Sequence, residues 1–287
     1  VHDGPRITWH LDRETRFPFG QLAPDPARDT PIGFPPPWPD RPWIYGVMVA
    51  SANGVVAWRR RGAGDDPVRA ILGGDDRHRD RAADQRLMRV LRTFGDVSVG
   101  SQTTREQPEL VQTPQEPGDP AAPELYQFRA GHGLQHHPRV IVYSIFGGLR
   151  LHHRMFNTPG LEVIAVTTEA GAGELERHGA ADHGLGLVVE PMLDPEGLRR
   201  AHRRLFADRG VRYLACEGGG TVLRALHGAG LLDEVFLTTT DIVIDTSAHD
   251  GVITILDLER DGAELIGEGR VAPAGGFTFR RWRINSR

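Results

Sequence analysis

The chain contains no lysine, so all 34 of its basic residues are arginine. That absence removes Schiff-base chemistry and the phosphate-binding lysine of a P-loop. Cys216 is the single cysteine in 287 residues, which rules out an intramolecular disulfide and a multi-cysteine zinc site. No apolar run approaches the roughly 18 residues of a membrane span. The first residues, Val1-His2-Asp3-Gly4-Pro5, lack the basic-then-apolar layout of a secretory leader. Neither sign of charge dominates, with 38 acidic against 34 basic residues, so there is no electrostatic footprint for nucleic acid. Gly-x-Ser-x-Gly is missing, and an α/β-hydrolase has no nucleophile elbow here. A cytoplasmic enzyme or binding protein for a small molecule is what remains.

Glycine (35 residues) and proline (21) are abundant, which places much of the chain in loops around a compact core. Residues 1–40 read as an extended, proline-rich arm, ending in Gly33-Phe34-Pro35-Pro36-Pro37-Trp38-Pro39. The arm's aromatics, Trp9, Phe17, Phe19, Phe34 and Trp38, imply that it packs onto a surface. Regular structure is expected from Trp43 to Ala50, an apolar run of strand length that suits a central strand covered on both faces. From there strands and helices alternate. Strands are read at 96–99, 140–143, 163–166, 185–189, 211–215, 234–239 and 277–284. Helices are read at 80–92, 195–209 and 218–230, the first with Ala83, Leu87, Val90 and Leu91 on its apolar face. Residues 106–137 read as a loop insertion. The pattern predicts one α/β domain over 41–287, with a mostly parallel central sheet flanked by helices and an antiparallel C-terminal hairpin.

The sharpest local signal is Leu214-Ala215-Cys216-Glu217-Gly218-Gly219-Gly220-Thr221, a strand that runs through glycines into a helix. Such a turn lets a phosphate approach the unpaired N–H groups of a helix start, and it serves equally as a plain tight turn. It is neither a Walker loop nor the spaced Rossmann fingerprint. Ala50-Ser51-Ala52-Asn53-Gly54 and Gly100-Ser101-Gln102-Thr103 are two further polar turns at strand ends. In a parallel sheet the three would converge on one edge, where open α/β sheets bind ligands. The histidines at 132, 136, 137, 152 and 153 lack metal-ligand spacing. Cys216 reads as a small buried side chain and Arg59-Arg60-Arg61 as a solvated loop.

In this order and spacing the three turns resemble the reductase domain of the riboflavin-biosynthesis deaminase-reductase family. That family's Ser-Leu-Asp-Gly corresponds to Ser51-Ala52-Asn53-Gly54, and its Gly-x-x-Thr to Gly100–Thr103. Its Glu-Gly-Gly-x-Thr-Leu and Gly-Leu-Val-Asp-Glu correspond to Glu217–Leu223 and Gly230–Glu234. The resemblance implies a dihydrofolate-reductase-like fold and a homodimer that uses NADPH for hydride transfer to a heterocycle-linked sugar. Gly218, Gly219, Gly220 and Thr221 would then hold the pyrophosphate. Gly100, Thr103 and Ser144 would line the rest of the dinucleotide, with Val49 beside the nicotinamide. Ser51, Asn53, Arg92 and Glu217 would face the substrate, Glu217 as the catalytic group.

The chain departs from that pattern in its substrate half. Val47 stands at the family's lysine and Asn53 at its aspartate, while Gln107 and Thr113 lie near its acidic residue and arginine. Lost cations weaken the grip on a phosphate dianion. Two alternatives therefore stand beside the family reaction. One is a reductase of the same fold acting on an unphosphorylated pterin-like or other heterocycle. The other is a nucleotide-binding protein without catalysis. A symmetric homodimer is expected because Phe277, Phe279 and Trp282 would otherwise leave an apolar sheet edge exposed.

Overall fold

Why the chain arranges its strands as it does follows from their two faces. In the computed structural model, which describes residues 5–12, 32–59, 65–119, 121–272 and 275–285, neighbouring residues of the first long strand serve opposite cores. Ile44 packs among Ile141, Leu214, Leu223 and Val235, whereas Tyr45 packs among Phe34, Leu91, Phe94 and Phe236. A strand buried on both sides needs an apolar run rather than alternation.

The strands are β1 (Ile7–Asp12), β2 (Trp43–Ala50), β3 (Val55–Ala57), β4 (Asp96–Gly100), β5 (Val140–Ser144) and β6 (Val163–Thr168). They continue with β7 (Gly186–Glu190), β8 (Tyr213–Cys216), β9 (Glu234–Thr239), β10 (Ile253–Thr254), β11 (Glu264–Val271) and β12 (Thr278–Arg283). Ten of them form one sheet in the order β1-β11-β12-β9-β2-β8-β4-β5-β6-β7, and β3 pairs with β10 beside it. From β9 to β7 every pairing is parallel, and β12, β11 and β1 extend the sheet antiparallel. The C-terminal ends of β2, β4, β5 and β8 therefore open onto one edge.

The helices are α1 (Pro67–Leu72), α2 (His78–Leu91), α3 (Ser101–Glu106), α4 (Pro123–Gly131), α5 (Glu169–Arg177), α6 (Pro195–Arg209) and α7 (Gly219–Gly228). The four apolar positions read from the spacing of α2 are all buried. α6 carries its own start and stop signals. Asp194 caps it by accepting from Gly197 N at 2.7 Å, Pro195 opens the first turn, and Gly210 leaves it at φ 68°.

Three readings of the sequence need correction. Ile7–Asp12 is a strand paired with β11, although no regular element was expected before Trp43. Residues 123–131, inside the stretch read as a loop insertion, form α4, whose Leu125 and Phe128 join the core around Phe94. The exposed apolar edge does not exist: β12 lies between β9 and β11, and Phe277, Phe279 and Trp282 are buried within the chain. The argument from that edge to a dimer fails with it. Phe34 likewise packs into the chain's own core, while Phe17 and Phe19 lie outside the described residues.

Two measurements test this packing. Phe34 is 1% exposed, stacks on Tyr45 at 4.4 Å between centroids and meets Phe94 and Phe236 edge-on. Phe34→Ala is expected to destabilise by about 3–5 kcal/mol in urea denaturation. The second concerns His202, fully buried between α6 and β5. Its Nδ1 lies 2.7 Å from the Leu198 carbonyl, which can only accept, so Nε2 accepts from the Tyr143 hydroxyl at 2.9 Å. Burial pushes its pKa down to about 4. The folded state thus binds fewer protons than the unfolded state, and stability falls as pH drops from about 6.5 towards 4. The loss amounts to about 3 kcal/mol. His202→Gln should flatten the stability curve in that window relative to the wild type.

Candidate functional site

A cavity of about 880 Å³ opens at the sheet edge formed by the ends of β2, β4, β5 and β8. Val49, Gly100, Thr103, Ser144, Gly218, Gly219, Gly220 and Thr221 all line it. Residues separated by up to 172 positions in the chain meet there because parallel strands bring their C-terminal ends to one side. The volume lies in the upper range of small-ligand and cofactor pockets.

The glycine turn has the backbone that the sequence pattern implied. α7 starts at Gly219 without a side-chain cap, so its first N–H groups have no side-chain acceptor. Gly219 sits at φ 69°, and a Cβ there would project into open space, with no atom within 4 Å. Gly220 is restricted differently: a Cβ would come within 2.5 Å of the Ile253 side chain. These features suit an anionic group resting against the helix start.

Glu217 follows β8 and lines the cavity with its side chain largely buried. Arg92 holds it by a fork of two bonds, Nε to Oε1 at 2.7 Å and Nη2 to Oε2 at 2.6 Å. The other guanidinium donors are engaged as well. Nη1 donates to the Thr113 carbonyl at 3.0 Å and to Glu116 at 2.7 Å, and Nη2 donates to Gln112 at 2.8 Å. With five N–H donors and five oxygen partners, Arg92 keeps none for a substrate in this conformation. Expected beside the substrate, Arg92 lines the cavity as a buried partner of Glu217.

Ser51 and Asn53, also expected to face the substrate, bond within the chain. Ser51 is fully buried, donating to Asn53 Oδ1 at 2.8 Å and accepting from Val55 N at 2.9 Å. Asn53 bonds Ile244 through both ends of its amide, at 2.9 and 3.0 Å. Neither lines the large cavity, and Asn53 borders a smaller one of about 330 Å³. Both residues close a turn. Val47 and Gln107 do line the large cavity, whereas Thr113 is buried and donates to the Gln115 carbonyl.

Two groups of site residues were not read from the sequence. The stretch 107–116, taken for an insertion, walls the cavity through Gln107, Leu110 and Gln112. It is tied down by Glu116, which accepts from Val111 N, Gln112 N and Arg92. The second group runs along α2. Arg81, Asp84, Gln85 and Met88 fall on one helical stripe with Arg92, the member of it that the sequence did offer, and all line the cavity. The (i, i+4) series of Asp84, Met88 and Arg92 was a signal for it, overshadowed by the apolar face opposite.

Cys216 and two of the histidines are accounted for structurally, and Arg60 and Arg61 lie outside the described residues. Cys216 is buried, and desolvation pushes its thiol up to about 11, away from nucleophile chemistry. His132 and His153 each bond a backbone carbonyl, at 2.7 and 2.6 Å. Among the described residues, no cluster of three His, Cys, Asp or Glu side chains could hold a metal. Nor, among them, is any helix long and apolar enough to cross a membrane.

Arg92→Met would leave Glu217, Glu116 and Gln112 facing an apolar thioether. Uncompensated buried carboxylates of this kind cost about 3–5 kcal/mol, which a urea midpoint reads directly. A loss below about 1 kcal/mol would mean that the carboxylates find water instead.

No protein-family model and no curated protein matches the chain. Solved structures do. A pyrimidine reductase-like protein from Corynebacterium diphtheriae superposes with a TM-score of 0.62 at 19% identity, over 86% of this chain and 94% of that one. The riboflavin biosynthesis reductase of Saccharomyces cerevisiae does so at 0.54 and 13%, over 85% and 90%. A deaminase/5-amino-6-(5-phosphoribosylamino)uracil reductase from Thermotoga maritima gives 0.56 and 14%, over 85% of this chain and 57% of that one. The chain thus spans little more than half of that bifunctional protein. At such identities the likeness speaks to architecture, and the architecture is that of the pyrimidine reductases: a dihydrofolate-reductase-like fold.

Proposed function

We propose that the protein is an NADPH-dependent reductase that transfers hydride to a heterocycle-linked sugar or a related small molecule. The observation that carries this reading is the meeting of eight separately chosen residues, from Val49 to Thr221, on one cavity. Bound there, NADPH would rest its pyrophosphate against Gly218–Thr221, with Gly100, Thr103 and Ser144 along the dinucleotide and Val49 beside the nicotinamide. The cofactor supplies the hydride, and the protein's part is to bind, orient and exclude competing reactions. Glu217, held in place by the arginine fork, positions the substrate's polar face. The likeness to riboflavin-pathway reductases supports the substrate class, and the reading carries a homodimer by the same resemblance.

The alternative of an unphosphorylated substrate is favoured by one set of observations. Val47 presents an apolar wall at the family's lysine position, Arg92 has no donor left, and Thr113 is buried. Arg81 and Arg105 are the other arginines on the cavity, and each also contacts a backbone carbonyl.

Turnover of 5-amino-6-(5-phosphoribosylamino)uracil and its dephosphorylated nucleoside with NADPH separates these readings. We expect kcat/KM for the two to agree within about tenfold, a difference of about 1.4 kcal/mol. A strong preference for the phosphate would return the substrate to the family's own. Cofactor binding is tested at Gly219. Valine cannot hold a φ near 69°, so the turn must reorganise and its N–H groups lose their aim. NADPH binding by fluorescence should weaken more than tenfold in Gly219→Val (about 1.4 kcal/mol), and less in Gly219→Asn, which tolerates the left-handed region. Unchanged affinity in a folded Gly219→Val protein would remove the turn from the site.

A further inference from the structure

The stretch 107–116 gives the cavity Gln107, Leu110 and Gln112, none of them charged. Gln112 differs from its neighbours in both backbone and burial. Among the described residues it is the one non-glycine at positive φ, 66°, a region that a Cβ disfavours. It is 1% exposed and yet lines the cavity. Two bonds hold it there. Its backbone N–H donates to Glu116 Oε1 at 2.6 Å, and its side-chain oxygen accepts from Arg92 Nη2 at 2.8 Å. Backbone strain held in place by its surroundings gathers at ligand sites.

The arginine also settles which way the amide lies. A guanidinium can only donate, so it meets Oε1 and leaves Nε2 at the opposite end. Among the described residues nothing accepts from Nε2, and that atom is not sealed inside the protein. A donor so placed on a cavity wall is kept for a ligand. An acceptor lies next to it, because Glu217 Oε2 meets the same Nη2 at 2.6 Å. The guanidinium between them has nothing further to give: its N–H groups end on Glu217, Glu116, Gln112 and Thr113.

Resting on the proposed reductase reading, we infer that Gln112 is a specificity-determining residue that donates through Nε2 to an uncharged oxygen of the substrate. With Glu217 beside it as an acceptor, the pair suits a group that both accepts and donates, such as the lactam edge of the heterocycle or a hydroxyl of the sugar. A phosphate at this place would meet Glu217 and Glu116 with one guanidinium between them, already engaged by both. The neutral donor stands next to Thr113, near the position at which the resembled family carries an arginine.

Two substitutions isolate the donor. Gln112→Glu keeps an oxygen for Arg92 and replaces only the NH2 group. Gln112→Met keeps the length without adding a carboxyl group, should that group disturb folding. Calorimetric titration of NADP+-loaded protein, which holds no hydride to transfer, would use the dephosphorylated nucleoside of 5-amino-6-(5-phosphoribosylamino)uracil and its base, 5,6-diaminouracil. Nucleoside affinity should fall about tenfold in both variants. NADPH affinity should stay within about threefold of wild type. In turnover KM should rise about tenfold with kcat within about threefold, the signature of a lost binding contact; a residue that merely braces Arg92 would not produce this split in Gln112→Glu. An equal loss with 5,6-diaminouracil places the contact on the ring, and a loss confined to the nucleoside places it on the sugar. Nucleoside affinity within about twofold of wild type in both folded variants overturns the role of Gln112 alone. A wild-type protein that binds NADPH but neither the nucleoside nor its phosphate overturns the proposed substrate class, and the assignment of Gln112 with it.

Discussion

A single buried guanidinium ties the functional edge of this protein together. Arg92 is 1% exposed and joins three segments distant in sequence: α2, the turn after β8, and the stretch 107–116. A lysine could not do this, since a point charge with three donors cannot form a planar fork with one carboxylate while serving two other acceptors. Removing either side leaves buried charge without compensation, so the three segments hold together or separate together. The cavity's shape on that side is a consequence of this network.

On the opposite side, shape comes from the sheet. Parallel pairing brings Gly100, Ser144 and Glu217 to one edge whatever their distance along the chain, and the β4–β8 register is extended by Glu217 N donating to the Ser98 carbonyl at 2.8 Å. The glycines then set how closely a ligand can approach. Gly219 contributes a left-handed backbone angle and Gly220 a place where α7 meets the side chain of Ile253. Sheet topology supplies the position of the site, and the turn supplies its surface.

Elements whose signal is local were legible in the sequence. α6, with its Asp194 cap and terminal Gly210, is found at the bounds its punctuation predicted, and β9 is found where its apolar run lies. The glycine turn on the cavity was legible for the same reason, because strand, glycines and helix are contiguous. What stayed hidden depends on pairing across the chain. Ile7–Asp12 becomes a strand because β11 offers it a partner 255 or more residues away. Glu116 acquires meaning only beside Arg92, and Ser51 and Asn53 look like ligand contacts until Ile244 is seen to occupy the amide. α4 contains too few apolar residues to announce itself, and its burial comes from Phe94.

The absence of lysine has a further consequence for what the cavity can recognise. Arginine takes over the tasks of a buried cation throughout the chain. Arg129 donates to the carbonyls of Thr93 and Gly95, Arg281 pairs with the fully buried Glu234, and Arg41 forks onto Asp233. Each of these is a multidentate staple between segments, and each fixes its cation away from the cavity. Where the family that the sequence resembles carries a lysine, this chain presents the side chain of Val47, which offers no donor to an anion.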